Sequence, residues 1–370
     1  MREILSFYCH GSGDVEPVGG LVAKRNTQID GWRAIAVLGV MWHHWAPREW
    51  RGSVPFEIGL FFFLTLTGFL LTRILLKERG REGEEGRVAR YHEFLRRRFG
   101  RIVVPCTVAM VFALACGAQD IREHPWWYFF HLSNYHMAVG EAWPSGTAPL
   151  WTLAIQVQFY IVWPLLVLWL PLRFLPVVFA ACLAGAPVFR WVFATQVPWV
   201  HHAEAIPLCS MDYFGAGALL AWMSAKTGVP NRRAVRLATV LGGAAYLLIY
   251  VTRECGLKLM VAGYLQQTIL AIGLAGLIGL TWYGFPGRLG RLLGHPALQH
   301  IGRISFGLYL FHSLVPLFLG YVLPFLWWNA GPYDGWMTAA RIVVFALVSW
   351  GVAWACWRWL EGGGQSGRGQ

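Results

Sequence analysis

The chain has 370 residues, of which 56% are hydrophobic and 14% charged, with a formal net charge of +12. Soluble domains carry about a quarter charged residues, so this composition excludes one and defines an integral membrane protein; its 21 Trp gather largely near the ends of apolar runs, where indoles suit the headgroup level. The basic excess falls in a few short loops instead of one soluble face, which argues against a nucleic-acid surface and for topology and anionic small molecules.

Residues 1–28 are polar and glycine-containing, without the apolar core of a secretion signal, and read as a cytoplasmic tail. With a ruler of roughly 20 apolar residues per membrane-spanning helix, about ten spans follow, for an all-α bundle. They run approximately over Ile35–Trp45, Phe56–Leu76, Ile102–Gly117, Leu150–Leu170, Leu175–Ala194, Tyr213–Ala225, Leu237–Val251, Leu259–Trp282, Ile304–Leu326 and Ile342–Trp359. Residues 29–361 make the membrane domain, and "GGGQSGRGQ" at 362–370 reads as a flexible tail. Lysines and arginines concentrate in alternate loops: Arg73–Arg101, Arg173, Lys226–Arg236 and Arg288–Arg303 against only Arg48, Arg51, Arg122, Arg253 and Lys258. By the positive-inside rule, both termini are expected in the cytoplasm.

The first span, "DGWRAIAVLGVMWHHW" from Asp30, keeps four ionisable residues where such groups are costly. Arg33 and His44 are eleven residues apart, which at about 100° and 1.5 Å per residue puts them on one stripe, roughly 16 Å apart. His43 is rotated off that stripe. Asp30, three residues before Arg33, is placed to pair with it or to cap the helix. A plainer reading has Arg33 snorkelling to one interface and the histidines sitting at the other. The second span contains "TLTG", with Thr65 and Thr67.

Ahead of the third span, "RVARYHEFLRRRFGRI" (87–102) alternates apolar residues and arginines at helical spacing. It reads either as an interfacial helix on anionic lipid or as a phosphate-binding face of Arg97, Arg98 and Arg101, since guanidinium groups bind phosphate bidentately. The outward connection 118–149, with "HPWWYFFHLSNYHM", reads as an interfacial or capping segment. Farther on come Gln156 and Gln158 in "WTLAIQVQFY", Asp212 in "CSMDYFGAG", and Ser305, Tyr309 and His312 on one face of "RISFGLYLFH". Each alone suits interhelical hydrogen bonding; together they suggest a polar internal cavity. The seven cysteines show no CxxC pair or repeated spacing, giving neither a disulfide framework nor a metal site.

These blocks resemble the integral-membrane acyltransferase family 3, over nearly the whole span region. Asp30-Gly31-x-Arg33 followed by His44 is similar to the family's arginine-to-histidine signature. "FFFLTLTGFLLT", "FLRRRFGRI", "PLWTLAIQVQFYIVWPL" and "GRISFGLYLFH" are similar to its second-helix, third-helix, fourth-helix and late-helix blocks. Departures are Thr67-Gly68 for Ser-Gly, Gln156 and Val157 for an acidic pair, Pro105 one residue late, and Glu361 alone from a closing Glu-Arg-Pro.

The resemblance implies transfer of an acyl group, acetyl by default, from acyl-CoA to a hydroxyl of a sugar, glycan or glycosylated metabolite, with no permanently bound cofactor. It makes His44 the general base, with Arg33 and Asp30 beside it in the signature and Asp212 a conceivable orienting carboxylate. Arg33, Arg97, Arg98 and Arg101 would hold the nucleotide end of the donor, and the pantetheine arm would run along the Arg33–His44 stripe. Tyr309, His312 or Thr67 would hydrogen-bond the developing oxyanion; Gln156, Gln158, Asp212 and Ser305 would complete the cavity. Thr67 is a conceivable nucleophile, but nothing adjacent activates it, so direct transfer is expected. The implied location is a bacterial inner membrane. The competing classes are a multi-pass transporter, for which no internal duplication is visible, and a catalytically silent scaffold.

Overall fold

A chain segment in hydrocarbon must satisfy its backbone polar groups internally, and apolar runs of this length do so as helices. The computed structural model describes residues 26–80, 86–225, 228, 230–257, 260–323 and 335–359, among which there is no strand. The tail at 1–25, residues 360–370 with Glu361, and Lys226 and Lys258 lie outside the described residues.

The helices are α1 (Gln28–Trp45), α2 (Ile58–Arg79) and α3 (Gly86–Ala115), then the short α4 (Gln119–Glu123), α5 (Pro125–Phe129) and α6 (Ser133–Val139). There follow α7 (Leu150–Trp169), α8 (Leu175–Gln196), α9 (Met211–Ala225), α10 (Arg232–Glu254) and α11 (Met260–Tyr283). The last group is α12 (Gly287–Leu293), α13 (Pro296–Arg303), α14 (Ser305–Phe311), α15 (Leu314–Val322) and α16 (Gly335–Trp359).

Seven of these helices are long and apolar enough to cross a membrane, eight if the bent pair α14–α15 counts as one span. The expected count of about ten is therefore not reached. The two shortfalls are the expected first and sixth spans. Helix α1 has 18 residues but carries Asp30, Arg33, His43 and His44. Helix α9 has 15, or roughly 22 Å at 1.5 Å per residue, less than a bilayer core of about 30 Å.

Two further expectations are corrected. The arginine-rich stretch 87–102 is not a separate interfacial helix; it is the first half of α3, a 30-residue helix that continues through Pro105. The expected span 304–326 is broken, with α14 and α15 meeting at 50°. At the break, the carbonyl of His312 accepts a hydrogen bond from the Trp45 indole Nε1 at 3.0 Å, and Ser313 Oγ donates to the Gly146 carbonyl at 2.7 Å.

Glycine sets the closest helix approaches. A Cβ on Gly68 of α2 would lie 2.3 Å from the Phe214 carbonyl oxygen, and one on Gly217 of α9 would lie 2.1 Å from that of Thr65. Small residues thus let α2 and α9 touch backbone to backbone, the means by which helices associate without a hydrophobic driving force. Helix α1 is seated the same way, with Gly302 of α13 against the Asp30 carbonyl and Gly31 against Leu293. That seating fixes the face of α1 that carries Arg33. A buried ion pair ties α8 to α9 and α11: Arg190 Nη2 lies 2.8 Å from Asp212 Oδ2 and 2.7 Å from Thr268 Oγ1.

Candidate active site

Helices α1, α2, α3, α7 and α14 surround a cavity of about 110 Å³. Its polar lining is Arg33, Thr67, Arg98, Arg101, Gln156, Tyr160, Ser305 and Tyr309, on an apolar wall that includes Leu60, Phe63, Leu70, Ile102 and Leu153. Leu60, Phe63, Thr67 and Leu70 recur at i+3 and i+4, so one face of α2 supplies one wall. Arg98 and Arg101, one turn apart on α3, share a second wall.

The hydroxyls differ in their commitments. Thr65 is fully buried and donates to the Phe61 carbonyl at 2.9 Å, whereas Thr67 is half-buried on the cavity wall. Ser305 Oγ is buried with no hydrogen-bond partner. Tyr309, by contrast, is engaged: its hydroxyl lies 2.7 Å from Thr152 Oγ1 and 3.4 Å from the Pro149 carbonyl. It is thus occupied as an oxyanion donor in this conformation. Ser305 and Thr67 are the uncommitted hydroxyls on the wall.

Behind Tyr309 stand two histidines. The Tyr309 and His312 rings are 5.5 Å apart, and the His312 and His44 rings 5.0 Å apart. His312 is 0% exposed while His44 is exposed. His312 Nδ1 lies 2.6 Å from the Tyr309 carbonyl. A carbonyl only accepts, so Nδ1 carries the proton and the neutral ring presents a bare Nε2, which has no partner. As its rotation off the stripe requires, His43 turns elsewhere: its Nδ1 lies 3.2 Å from Arg51 Nη1 and 3.3 Å from Glu57 Oε2.

The structure separates other predicted site residues from this group. The Arg33–His44 stripe is not an open track, because Val37 (0%), Val40 (4%) and Met41 (4%) between them are packed in the core. Of α1, only Arg33 reaches the cavity, and its Nη1 lies 3.2 Å from Asp30 Oδ1. Arg97 is turned back onto Glu93, one helical turn earlier, and Gln158 donates to the His131 carbonyl and to Asn134 Oδ1, both at 2.8 Å. Asp212 is consumed by Arg190 and Thr268, and does not orient either histidine. Sequence reasoning missed Thr152, the partner of Tyr309. It stands in the quoted fourth-helix block, but its role depends on a contact across 157 residues.

A multi-pass helical membrane protein is thereby defined, with a mainly apolar chamber that carries arginine, hydroxyl and amide groups and with two imidazoles beyond its Tyr309 wall. Residues 26–358 match the family model described as "Acyltransferase domain", and the chain belongs to that family. Among curated proteins it is similar to the peptidoglycan O-acetyltransferase OatA of Listeria monocytogenes, at 25% identity over 318 residues, covering 77% of this chain and 48% of that protein. It also matches YrhL of Bacillus subtilis, at 31% over 154 residues (37% of this chain, 23% of that protein), and the O-acetyltransferase OatA of Staphylococcus aureus, at 27% over 164 residues (40% and 26%). The chain thus spans about half or less of the length of these relatives. No solved structure matches it.

Proposed function

We propose that this chain is a membrane O-acetyltransferase that moves an acetyl group from acetyl-CoA to a hydroxyl of a cell-wall glycan or other sugar-bearing acceptor. The observation that carries this reading is one cavity with Arg33, Arg98 and Arg101 on its wall and Tyr309 between it and the His312–His44 pair. The three guanidinium groups suit the phosphates of a nucleotide thioester. A volume of about 110 Å³ is far below the ~300–1,000 Å³ of sites that engulf a drug-sized ligand. It admits only part of the donor at a time, and a short acyl group. The acceptor class follows the relatives named for peptidoglycan.

An alcohol is a weak nucleophile until a base removes its proton, and a neutral imidazole is suited to that near neutral pH. His44, exposed at the end of α1, takes the hydroxyl proton as the oxygen attacks the thioester carbonyl. The tetrahedral intermediate collapses with loss of the C–S bond, and the thiolate recovers the proton from the His44 imidazolium. The bare Nε2 of His312 accepts a hydrogen bond from that imidazolium, and Ser305 and Thr67 donate to the developing oxyanion. In this scheme donor and acceptor approach from opposite sides of Tyr309. The positive-inside distribution supports a cytoplasmic donor side and an outer acceptor side, in a bacterial inner membrane.

The test is transfer of labelled acetyl from acetyl-CoA to peptidoglycan fragments by detergent-purified protein, with donor binding measured in parallel. His44→Ala is expected to bind donor and transfer nothing, while His43→Ala transfers. The reverse pattern overturns the assignment, and acceptor movement across vesicles with no acetylation replaces it with transport.

A further inference from the structure

The segment between α3 and α7 holds a second group of chemistry-bearing side chains that acyl transfer leaves unused. Asp120 lies in the first turn of α4, His124 follows that helix, and His136 lies on α6. Their potential ligand atoms all lie within 4.8 Å of one another. His136 Nε2 is 3.2 Å from Asp120 Oδ1, and the His124 and His136 ring centroids are 4.4 Å apart. We infer that Asp120, His124 and His136 form a binding site for a divalent transition-metal cation, with Zn²⁺ the ion of best fit.

Two imidazole nitrogens and one carboxylate oxygen make a donor set that suits zinc, whereas magnesium and calcium prefer oxygen alone. Zinc bonds of about 2.0–2.2 Å in a tetrahedron place ligand atoms roughly 3.3 Å apart. The His136–Asp120 edge already has that length. The remaining closure falls to His124, which is exposed and free to turn. Three protein ligands leave a fourth position for water.

The surroundings are built as a metal site requires, with the carboxylate oriented from behind. The second oxygen of Asp120 accepts a hydrogen bond from the Tyr128 hydroxyl. Tyr128 is 1% exposed, and its hydroxyl is also 3.2 Å from Thr147 Oγ1, itself 0% exposed. The Trp127 ring stacks on His136 at 6.0 Å. Gln158 anchors the same segment to α7 through the His131 carbonyl and Asn134. An ordinary surface ion pair needs neither the second imidazole nor the buried tyrosine and threonine. The cysteine count pointed away from metal binding; these ligands are histidines and a carboxylate.

Thr147 also begins the stretch that runs to Pro149, whose carbonyl is 3.4 Å from the Tyr309 hydroxyl. A bound cation would therefore steady the outer wall behind Tyr309 without touching substrate.

The experiment uses the full chain purified on a tag without histidine and stripped with chelator, then titrated calorimetrically with ZnCl₂. The unfolding temperature is read with and without the ion. The expected result is one Zn²⁺ per chain and a zinc-dependent rise in unfolding temperature. Both should be lost in His124→Ala and in the double variant His124→Ala/His136→Ala, and Tyr128→Phe should bind about 10-fold more weakly, the lower end of the usual outer-shell effect. His124 is exposed, so its variant should match the wild-type unfolding temperature in chelator. Absence of saturable zinc binding by the wild-type chain, or the same binding by the double variant, overturns the assignment.

Discussion

Replacing Arg190 tests whether Asp212 is structural or part of the chemistry. The Asp212 side chain is 0% exposed, and Arg190 satisfies one of its oxygens at 2.8 Å while Thr268 donates to the same oxygen at 2.7 Å. Arg190 also donates to the carbonyls of Cys209, at 2.5 Å, and Tyr264, at 3.1 Å. Arg190→Met removes every bond that Arg190 makes and leaves a carboxylate in a dry interior with Thr268 but without its cation. Breaking a buried pair from one side costs about 3–5 kcal/mol, on the order of a 10³-fold change in the folding equilibrium at about 1.4 kcal/mol per decade. The double variant Arg190→Met/Asp212→Leu removes the stranded charge together with its partner, and such apolar replacements are often neutral. Unfolding of the detergent-solubilised chain by heat or denaturing detergent should therefore show a severely weakened single variant and a double variant near wild type, with transfer activity following the folded fraction. A stable Arg190→Met chain would refute this reasoning. So would an Asp212→Asn chain of normal stability that binds donor yet transfers nothing, which would return Asp212 to the catalytic group.

Other outcomes follow from the same geometry. His44→Ala should lower transfer by about 10²–10⁴-fold, the usual worth of a general base, with donor affinity kept, as judged by parallel rate and binding assays. Arg98→Ala and Arg101→Ala should each raise the KM for donor by roughly 10–100-fold, since a charge-assisted hydrogen bond contributes about 1.5–3 kcal/mol; desphospho-CoA donors should lose the difference between wild type and variant. Gly217→Val puts side-chain atoms where even a Cβ would stand 2.1 Å from the Thr65 carbonyl oxygen, so it should destabilise the fold by the ~1–3 kcal/mol of overpacking or more, read as a lowered unfolding temperature. Initial rates across an acyl series should fall from acetyl to butyryl, given the volume of about 110 Å³.

Helical periodicity made much of this molecule legible. The rotation that set His43 off the stripe matches its contacts with Arg51 and Glu57, and the spacing of Ser305 and Tyr309 brings both to the cavity. The same rotation separates Gln156 from Gln158: two residues are about 200° on a helix, so one faces the chamber and the other the outer segment. Arg97 carried a local warning, a glutamate four residues earlier at Glu93, which is the spacing of an intrahelical pair. The emptiness of a stripe is different in kind. Arg33 and His44 do lie on one flank, but Val37, Val40 and Met41 fill the interval by packing against neighbours that no local pattern specifies. Likewise 304–326 reads as one largely apolar run; Pro316 marks its break locally, because it cannot donate to the His312 carbonyl four residues earlier, but the groups that satisfy the break, Trp45 and Gly146, are more than a hundred residues away in the chain.

The placement of Tyr309 bears on fidelity. A thioester is an energy-rich bond, and an enzyme that holds one next to the aqueous exterior risks squandering it by hydrolysis. In the proposed reaction the phenol, clasped by Thr152 and Pro149 between the chamber and the imidazoles, would serve as chemical insulation, yielding to a sugar hydroxyl that brings its own binding contacts and holding against solvent that brings none. On that proposal, trimming the ring would trade transfer for hydrolysis.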